Sequence, residues 1–238
     1  MRKYLLILFL LLTAFLSSCA TSKTGENVQR ASAHYKLGIS YYNNNKIQAA
    51  YVEFQKALEF NPNDKEVLNA IGVIYLLNLE DIPKAIEFFE RAISIDADFS
   101  DAHNNLGYAY EKTGMVKDAI KSYKTALANP LYQTAEKALN NLGRIYYRLG
   151  RYDDAIDAYR EAIKRVPEFV LPYYGLALCY NAKGKYGDAS IAIARAIELD
   201  PLYKGNRDRA IEDLKNRKIS AEGDEAKDIS DYLEILRY

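Results

Sequence analysis

Small residues recur along the chain at intervals of about 34 residues, within stretches whose apolar residues follow helical spacing. One small position holds Gly38, Gly72, Gly107, Gly143 and Ala177. A residue that ends a helix closes most of the units, at Pro62, Ala97, Pro167 and Pro201. Small side chains let two helices approach closely, and proline cannot continue a helix interior. The pattern therefore predicts successive pairs of helices joined by turns.

Further columns keep the same register in five consecutive units. They are Tyr41, Tyr75, Tyr110, Tyr146, Tyr180; Ala50, Ala85, Ala119, Ala155, Ala189; Phe54, Phe89, Tyr123, Tyr159, Ile193; and Ala57, Ala92, Ala126, Ala162, Ala196. This pattern resembles the tetratricopeptide repeat. The resemblance implies an all-α, right-handed superhelical solenoid that binds other proteins, with repeats over 31–64, 65–99, 100–133, 136–169 and 170–203.

The pattern fades in residues 204–238, where two further helices are predicted. Lys204–Arg217 and Glu225–Arg237 are amphipathic, and Ser220–Asp224 forms a break between them. The end of a solenoid needs a cover for its last apolar face. The two helices are therefore interpreted as a capping hairpin, with a degenerate sixth repeat as the alternative.

The first residues have the pattern of a secretory signal. Arg2 and Lys3 precede an apolar run, Tyr4–Phe15, that is too short to span a bilayer. The run ends in Leu16-Ser17-Ser18-Cys19, which resembles the bacterial lipobox. The resemblance implies a signal peptide over residues 1–18, cleavage before Cys19, acylation of Cys19 with chains such as palmitate, and a polar tether over residues 19–30. An ordinary signal peptide and an uncleaved anchor remain alternatives.

A location in the bacterial envelope follows from that resemblance. Residue Ala20 follows the cysteine, where an aspartate would resemble a signal for retention in the inner membrane. For a Gram-negative source we therefore expect attachment to the inner leaflet of the outer membrane, facing the periplasm. Several acyl chains would hold the protein stably on the membrane.

Charge and composition argue against nucleic-acid binding and against catalysis. The whole chain has 32 basic and 32 acidic residues; loss of Arg2 and Lys3 leaves 30 − 32 = −2. No single-signed field, metal-ligand cluster or glycine-rich phosphate loop is apparent. His34 and His103 occupy the same repeat position two repeats apart, which favours packing over chemistry, and Cys179 is predicted to be a small buried residue. We expect no enzyme activity, cofactor, metal or small-molecule substrate.

The candidate binding surface is the concave groove. In the family, the first helix of each repeat lines this groove, and the resemblance assigns to it Tyr35, Ile39, Tyr42, Asn69, Val73, Leu76, Leu77, Asn105, Asn141, Arg144 and Arg148. The first two repeats present apolar and aromatic residues, and the fourth presents a basic patch. A protein client is expected to fill the groove, with closure by the chain's own tail as the alternative. Some members of the family have a ladder of asparagines at one repeat position. Here that ladder is interrupted, because the position holds Lys36, Ala70 and Gly175 in three of the repeats.

A narrower resemblance concerns the whole arrangement of lipobox, tether and repeats. Together with the junction Asn129-Pro130-Leu131-Tyr132, it is similar to the pilotin lipoproteins of type IV pilus systems. The resemblance implies that the protein escorts or stabilises an outer-membrane secretin. An adaptor for peptidoglycan-remodelling enzymes and an outer-membrane assembly lipoprotein are the alternatives.

Overall fold

The computed structural model describes residues 25–237, and these residues form twelve α-helices and no strand. The helix α1 covers residues 25–43. The others are α2 (Ile47–Phe60), α3 (Lys65–Leu77), α4 (Ile82–Ile95), α5 (Ser100–Lys112), α6 (Val116–Ala128), α7 (Ala135–Arg148), α8 (Tyr152–Arg165), α9 (Val170–Ala182), α10 (Tyr186–Leu199), α11 (Arg207–Lys218) and α12 (Gly223–Ile235). The predicted all-α repeat fold is confirmed.

The first helix begins before the predicted first repeat. Residues 25–30, assigned to the tether, are helical. Glu26 and Arg30 form an ion pair of 2.5 Å one helical turn apart, and the Arg30 guanidinium lies 5.5 Å from the centre of the Phe60 ring. These contacts favour continuation of the helix toward the N-terminus. The predicted signal peptide, Cys19 and the start of the tether lie outside the described residues.

Polar side chains mark where several helices begin. The Asp64 carboxylate accepts a hydrogen bond of 3.2 Å from the Val67 amide at the start of α3, and Asp81 accepts one from Lys84 at the start of α4. Asn206 caps α11 in the same way. Each cap satisfies a backbone donor that has no partner within its helix.

The turns inside the repeats require a left-handed backbone. Gly114, Gly150 and Gly184 have φ values of 75°, 72° and 69° in the third, fourth and fifth repeats. The first two repeats place Asn45 and Glu80 in turns with φ of 56° and 55°. Asparagine tolerates this region better than most residues, whereas glutamate is strained there. The turn that ends α3 is therefore the most constrained of these five.

The predicted columns form the core. All ten alanines of the two alanine columns have 0% exposure. A Cβ added to Gly72 would lie 2.5 Å from the Phe89 ring, and one added to Gly143 would lie 2.7 Å from the Tyr159 ring. Real Cβ atoms do not approach this closely, so glycine is needed because the large column packs directly onto the backbone.

The chain divides into two compact units, one up to Ala109 and the other from Tyr110 onward. Within the second unit α7 packs on α8, α8 on α9, and α9 on α10. The predicted C-terminal hairpin is present as α11 and α12, and α12 also contacts α9 and α10. The last helix therefore lies against the fifth repeat rather than only against its own hairpin partner.

Candidate functional site

The predicted groove residues of α1 and α3 lie in the first unit, and those of α1 are described first. Tyr35, Ile39 and Tyr42 follow one another at helical spacing and are half-buried. They pack against a core cluster that includes Phe54, and the Tyr35 and Phe54 ring centroids are 5.9 Å apart. The predicted apolar residues thus lie on one face, but each also contributes part of its side chain to the core.

The helix α3 contributes the other apolar part of this surface. Val73 is half-buried, and Leu77, one turn further on, is 53% exposed. Leu76 is only 7% exposed, so its predicted place on an open groove is wrong. A rotation of about 100° per residue separates Leu76 from Leu77 and turns it toward the flank of the helix. We call Tyr35, Ile39, Tyr42, Asn69, Val73, Leu77 and Asn105 the N-terminal face.

Two predicted asparagines meet on the N-terminal face. The Asn105 Nδ2 atom donates a hydrogen bond of 2.9 Å to Asn69 Oδ1, which links α5 to α3. Both residues are half-buried. The amides therefore hold two neighbouring first helices together and supply polar groups at the edge of the apolar surface.

Carboxylates surround the aromatic end of this face. Burial raises the pKa of the Tyr35 hydroxyl, and the charges of Glu66, Asp64 and Asp101 raise that pKa further. Burial also raises the pKa of the Glu66 carboxyl. Glu66 and Asp101 lie in the first turns of α3 and α5. The N-terminal face is therefore apolar at its centre and acidic at one edge.

The corresponding face of the second unit has the opposite charge. We call Asn141, Arg144, Tyr147 and Arg148 of α7, with Tyr174 and Leu178 of α9, the C-terminal face. Arg144 Nε and Nη2 donate hydrogen bonds of 3.0 and 2.8 Å to the two carboxylate oxygens of Glu111. Arg148 Nη1 and Nη2 donate bonds of 2.9 and 2.5 Å to Asp228. Both guanidinium groups of the predicted basic patch thus have carboxylate partners within the chain, while each remains about one-third exposed.

The last helix covers the C-terminal face. The Tyr147 hydroxyl donates a hydrogen bond of 3.3 Å to Asp228, and burial together with that carboxylate raises the pKa of Tyr147 to about 12. The Tyr232 ring packs edge-on against Tyr174, with centroids 5.5 Å apart. A cavity of about 340 Å³ is lined by Asp228 and Tyr232 of α12 and by residues of the face, among them Leu178. The chain's own tail thus lies against the part of this face formed by Tyr147, Arg148 and Tyr174.

Sequence reasoning missed three residues that complete the C-terminal face. They are Glu111, Asp228 and Tyr232. One signal for them was available, since Arg144 and Arg148 are four residues apart and so are Asp224 and Asp228. Pairs with this spacing lie on one side of a helix. The match between the two pairs becomes evident only when α12 is known to return to α7.

The two histidines and Cys179 are held in the fold by hydrogen bonds or by burial. His34 Nδ1 lies 2.7 Å from Glu53, and His103 Nε2 lies 2.9 Å from the Ala97 carbonyl oxygen. Cys179 is buried, and burial raises its thiol pKa to about 12. Within residues 25–237 no group of His, Cys, Asp and Glu has the geometry of a metal site. Over the same residues, none of the helices has the length and apolar character needed to span a membrane.

Comparison with protein families accounts for most of the described chain. Three models described as "Tetratricopeptide repeat" match residues 31–64, 98–168 and 140–204, and one described as "TPR repeat" matches residues 76–114. The chain contains tetratricopeptide repeats. None of these four models describes an enzyme. Such repeats are stacked helix pairs whose extended surfaces bind other proteins.

Curated relatives share the repeats over short segments. The tetratricopeptide chain is 37% identical over 70 residues to "Anaphase-promoting complex subunit 3" of Schizosaccharomyces pombe, which is 29% of this chain and 10% of that protein. It is 33% identical over 92 residues to the "Peroxisomal targeting signal receptor" of Candida glabrata, which is 39% of this chain and 15% of that protein. The chain thus matches only a small part of the length of these two relatives.

Solved structures share the fold over a much larger part of the chain. PilF of Pseudomonas aeruginosa superposes with a TM-score of 0.71 and 17% identity, covering 89% of this chain and 93% of PilF. PilW, described as a "widely conserved type IV pilus biogenesis factor", superposes with a TM-score of 0.69 and 21% identity, covering 86% and 90%. At these identities the likeness concerns the fold alone.

Proposed function

We propose that this chain is a membrane-anchored, non-enzymatic scaffold of the pilotin type, which escorts or stabilises an outer-membrane secretin. The N-terminal face carries the proposal, because it joins apolar side chains at one surface without a metal site or a catalytic group in it. The lipobox-like ending at Cys19 and the fold likeness to PilF and PilW support the more specific part. The scaffold binds its client while the lipid holds it at the inner leaflet of the outer membrane, facing the periplasm.

The chemistry of the N-terminal face specifies the kind of client segment. Leu77 and the half-buried Tyr42 offer apolar area, and Asn69 and Asn105 offer amides. The carboxylates around Tyr35 favour a cationic group on the client. We propose that the client presents apolar side chains next to lysine or arginine. Side chains of this kind bury apolar area at the centre of an interface and pair charges at its rim.

The test of the client site is capture of proteins from detergent-solubilised membranes by the purified chain. We expect Tyr42→Ala with Leu77→Ala to abolish capture, because truncation of a buried anchor costs about 2 kcal/mol, or about thirtyfold in affinity. The captured proteins are identified by mass, and a secretin among them is the expected client. Assembled secretin multimers and surface pili should be lost in cells that carry the double variant.

A matched double variant controls for the loss of exposed apolar area. Leu131 and Ile191 are 83% and 72% exposed and lie in the second unit. Leu131→Ala with Ile191→Ala should capture the client as the parent does, and circular dichroism should show equal helical content for both double variants. Full capture by the Tyr42/Leu77 variant would exclude the N-terminal face as the main site.

The membrane anchor is tested separately at Cys19. We propose that Cys19→Ser leaves the repeats folded and moves the protein out of the membrane fraction, since the acyl chains provide the attachment. Cell fractionation and the intact mass of the mature protein measure both effects. A mature parent protein without acyl chains would contradict the anchor, whatever the outcome of the capture experiment.

A further inference from the structure

The last helix lies on the C-terminal face as a bound helix would. Two carboxylates of α12, Asp224 and Asp228, are one helical turn apart, and Arg148 contacts both of them. Its Nε atom is 3.3 Å from Asp224 Oδ2, and its Nη2 atom is 2.5 Å from Asp228 Oδ2. Bonds between charged groups in this arrangement are stronger than neutral ones and fix the direction of the helix.

Apolar groups of α12 follow the two carboxylates along the same helix. Ile229 is fully buried, and the Tyr232 ring contacts Tyr174 on α9. An acidic pair followed by buried residues at helical spacing is the pattern of an amphipathic helix that docks into a groove. The contacts of α12 therefore show which chemistry the C-terminal face recognises.

Charge complementarity extends beyond these contacts. The sequence of α12 has five acidic residues and one basic residue, a formal charge of 1 − 5 = −4. The preceding helix α11 has five basic and three acidic residues, a formal charge of 5 − 3 = +2. The α12 helix thus contacts both the cationic α11 and Arg148 of α7. An acidic helix from another protein would meet the same attraction.

Two features favour exchange of α12 for another helix. Residues 219–222 connect α11 to α12 outside either helix, and Ile219 in this connection is 85% exposed. A cavity of about 340 Å³, lined in part by Asp228 and Tyr232, borders α12, so this helix leaves some of the space beside the face unfilled. Loosely packed elements on exposed connections open at a lower free energy than the rest of a fold.

We infer that the C-terminal face docks an amphipathic helix of a partner protein, with two carboxylates one turn apart and an aromatic residue one turn further on. The resident α12 occupies the face until that helix displaces it. The inference shares one assumption with the proposed scaffold function, namely that the partner is a protein. It concerns a second face, with a client of opposite charge to the one proposed for the N-terminal face.

The test uses a fluorescent peptide with the sequence of residues 222–237 as the probe, and the full mature chain as the receptor. Asp224→Asn with Asp228→Asn in the chain removes the contacts of Arg148 with α12. We expect this variant to bind the peptide at least tenfold more tightly than the parent chain, measured by fluorescence anisotropy. A peptide with both aspartates replaced by asparagine should lose that gain, and added salt should weaken binding.

A second double variant controls for the loss of two negative charges. Glu212 in α11 and Glu234 in α12 are exposed. Glu212→Gln with Glu234→Gln should bind the peptide as the parent does. The Tyr42→Ala, Leu77→Ala variant should also bind it as the parent does, which separates this inference from the client site of the N-terminal face.

Three results would overturn the inference. One is a folded Asp224/Asp228 variant that binds no more peptide than the parent. Another is dimerisation of that variant by exchange of α12, detected by light scattering, which would assign the face to a second copy of the chain. The third result would come from amide hydrogen exchange of the parent chain. This measurement can be made even if the Asp224/Asp228 variant does not fold. The amides of α12 should exchange at least tenfold faster than those of α7 and α9, and equal rates would show that α12 does not leave the face.

Discussion

The two faces occupy equivalent positions of the repeats and differ in charge and in what lies on them. On the N-terminal face, Leu77 remains 53% exposed, and carboxylates surround Tyr35. On the C-terminal face, Arg148 is paired with Asp228, and Tyr174 contacts Tyr232. The repeat pattern determines which side chains point inward, whereas the chemistry of those side chains determines which segment they accept. The same fold can therefore leave apolar side chains exposed on one face and hold its own tail against another.

The largest effects are expected from the glycines that set the helix spacing in each unit. Gly143→Leu should destabilise the protein by about 3 kcal/mol or more, because Tyr159 leaves no room for a side chain and also packs on Gly175. Gly72→Leu should also destabilise the protein strongly, since a Cβ at this position would lie 2.5 Å from the Phe89 ring. Urea unfolding measures both effects and compares the tolerance of the two units.

The control for these variants is another helical glycine. A Cβ at Gly187, in the first turn of α10, would meet no atom within 4 Å. Gly187→Leu should leave the unfolding midpoint unchanged or raise it slightly, because leucine favours helix more than glycine does. Equal losses in all three variants would show that the register assigned to the columns is wrong.

A smaller effect is expected from the ion pairs of the C-terminal face. Arg144→Gln removes both hydrogen bonds to Glu111 and should cost about 1 kcal/mol, since the pair is bidentate but partly exposed. Client capture through the N-terminal face should not change. Lys137→Gln, at an exposed position of the same helix, serves as the control and should cost close to nothing. Loss of capture with unchanged stability would instead assign the client to the basic face.

The smallest effect concerns pH and the first unit. Hydrogen bonds from Lys56 and His34 lower the pKa of Glu53. A lowered pKa in the folded state means that the ionised carboxylate stabilises the fold above the ordinary glutamate pKa of about 4.3. That contribution is lost as the pH falls through the lowered pKa. The parent should thus exceed Glu53→Gln in unfolding midpoint at pH 7, and the difference should shrink as the pH falls below the ordinary range of a glutamate pKa.

Glu59→Gln is the matched control for the pH experiment. Glu59 lies on the same helix, α2, and is exposed. Its replacement should leave the pH dependence of the midpoint as in the parent. A difference between the parent and Glu53→Gln that persists unchanged at low pH would show that the effect of the substitution is packing rather than charge.

The core could be predicted in detail because every repeat meets the same neighbours. Ala85 and Ala155 are fully buried at the predicted positions, and Phe89 lies against Gly72 as the columns require. The groove was harder to predict, since inward positions carried over from a family ignore small rotations of each helix. Leu76 is such a case, because one residue along α3 separates a buried side chain from the exposed Leu77.

By itself, the sequence determined the helix pairs, their spacing and the residues that fill the core, because these depend on contacts repeated at a fixed interval. Only the tertiary structure decided the state of the C-terminal face. Asp228 reaches Arg148 across 80 residues, and no periodicity relates the two. Local pattern specifies which side of a helix is apolar or charged, but the return of a distant segment depends on the path of the chain between them. For that reason Arg148, which the sequence presents as part of a basic patch, is an internal contact of α12 in the folded protein.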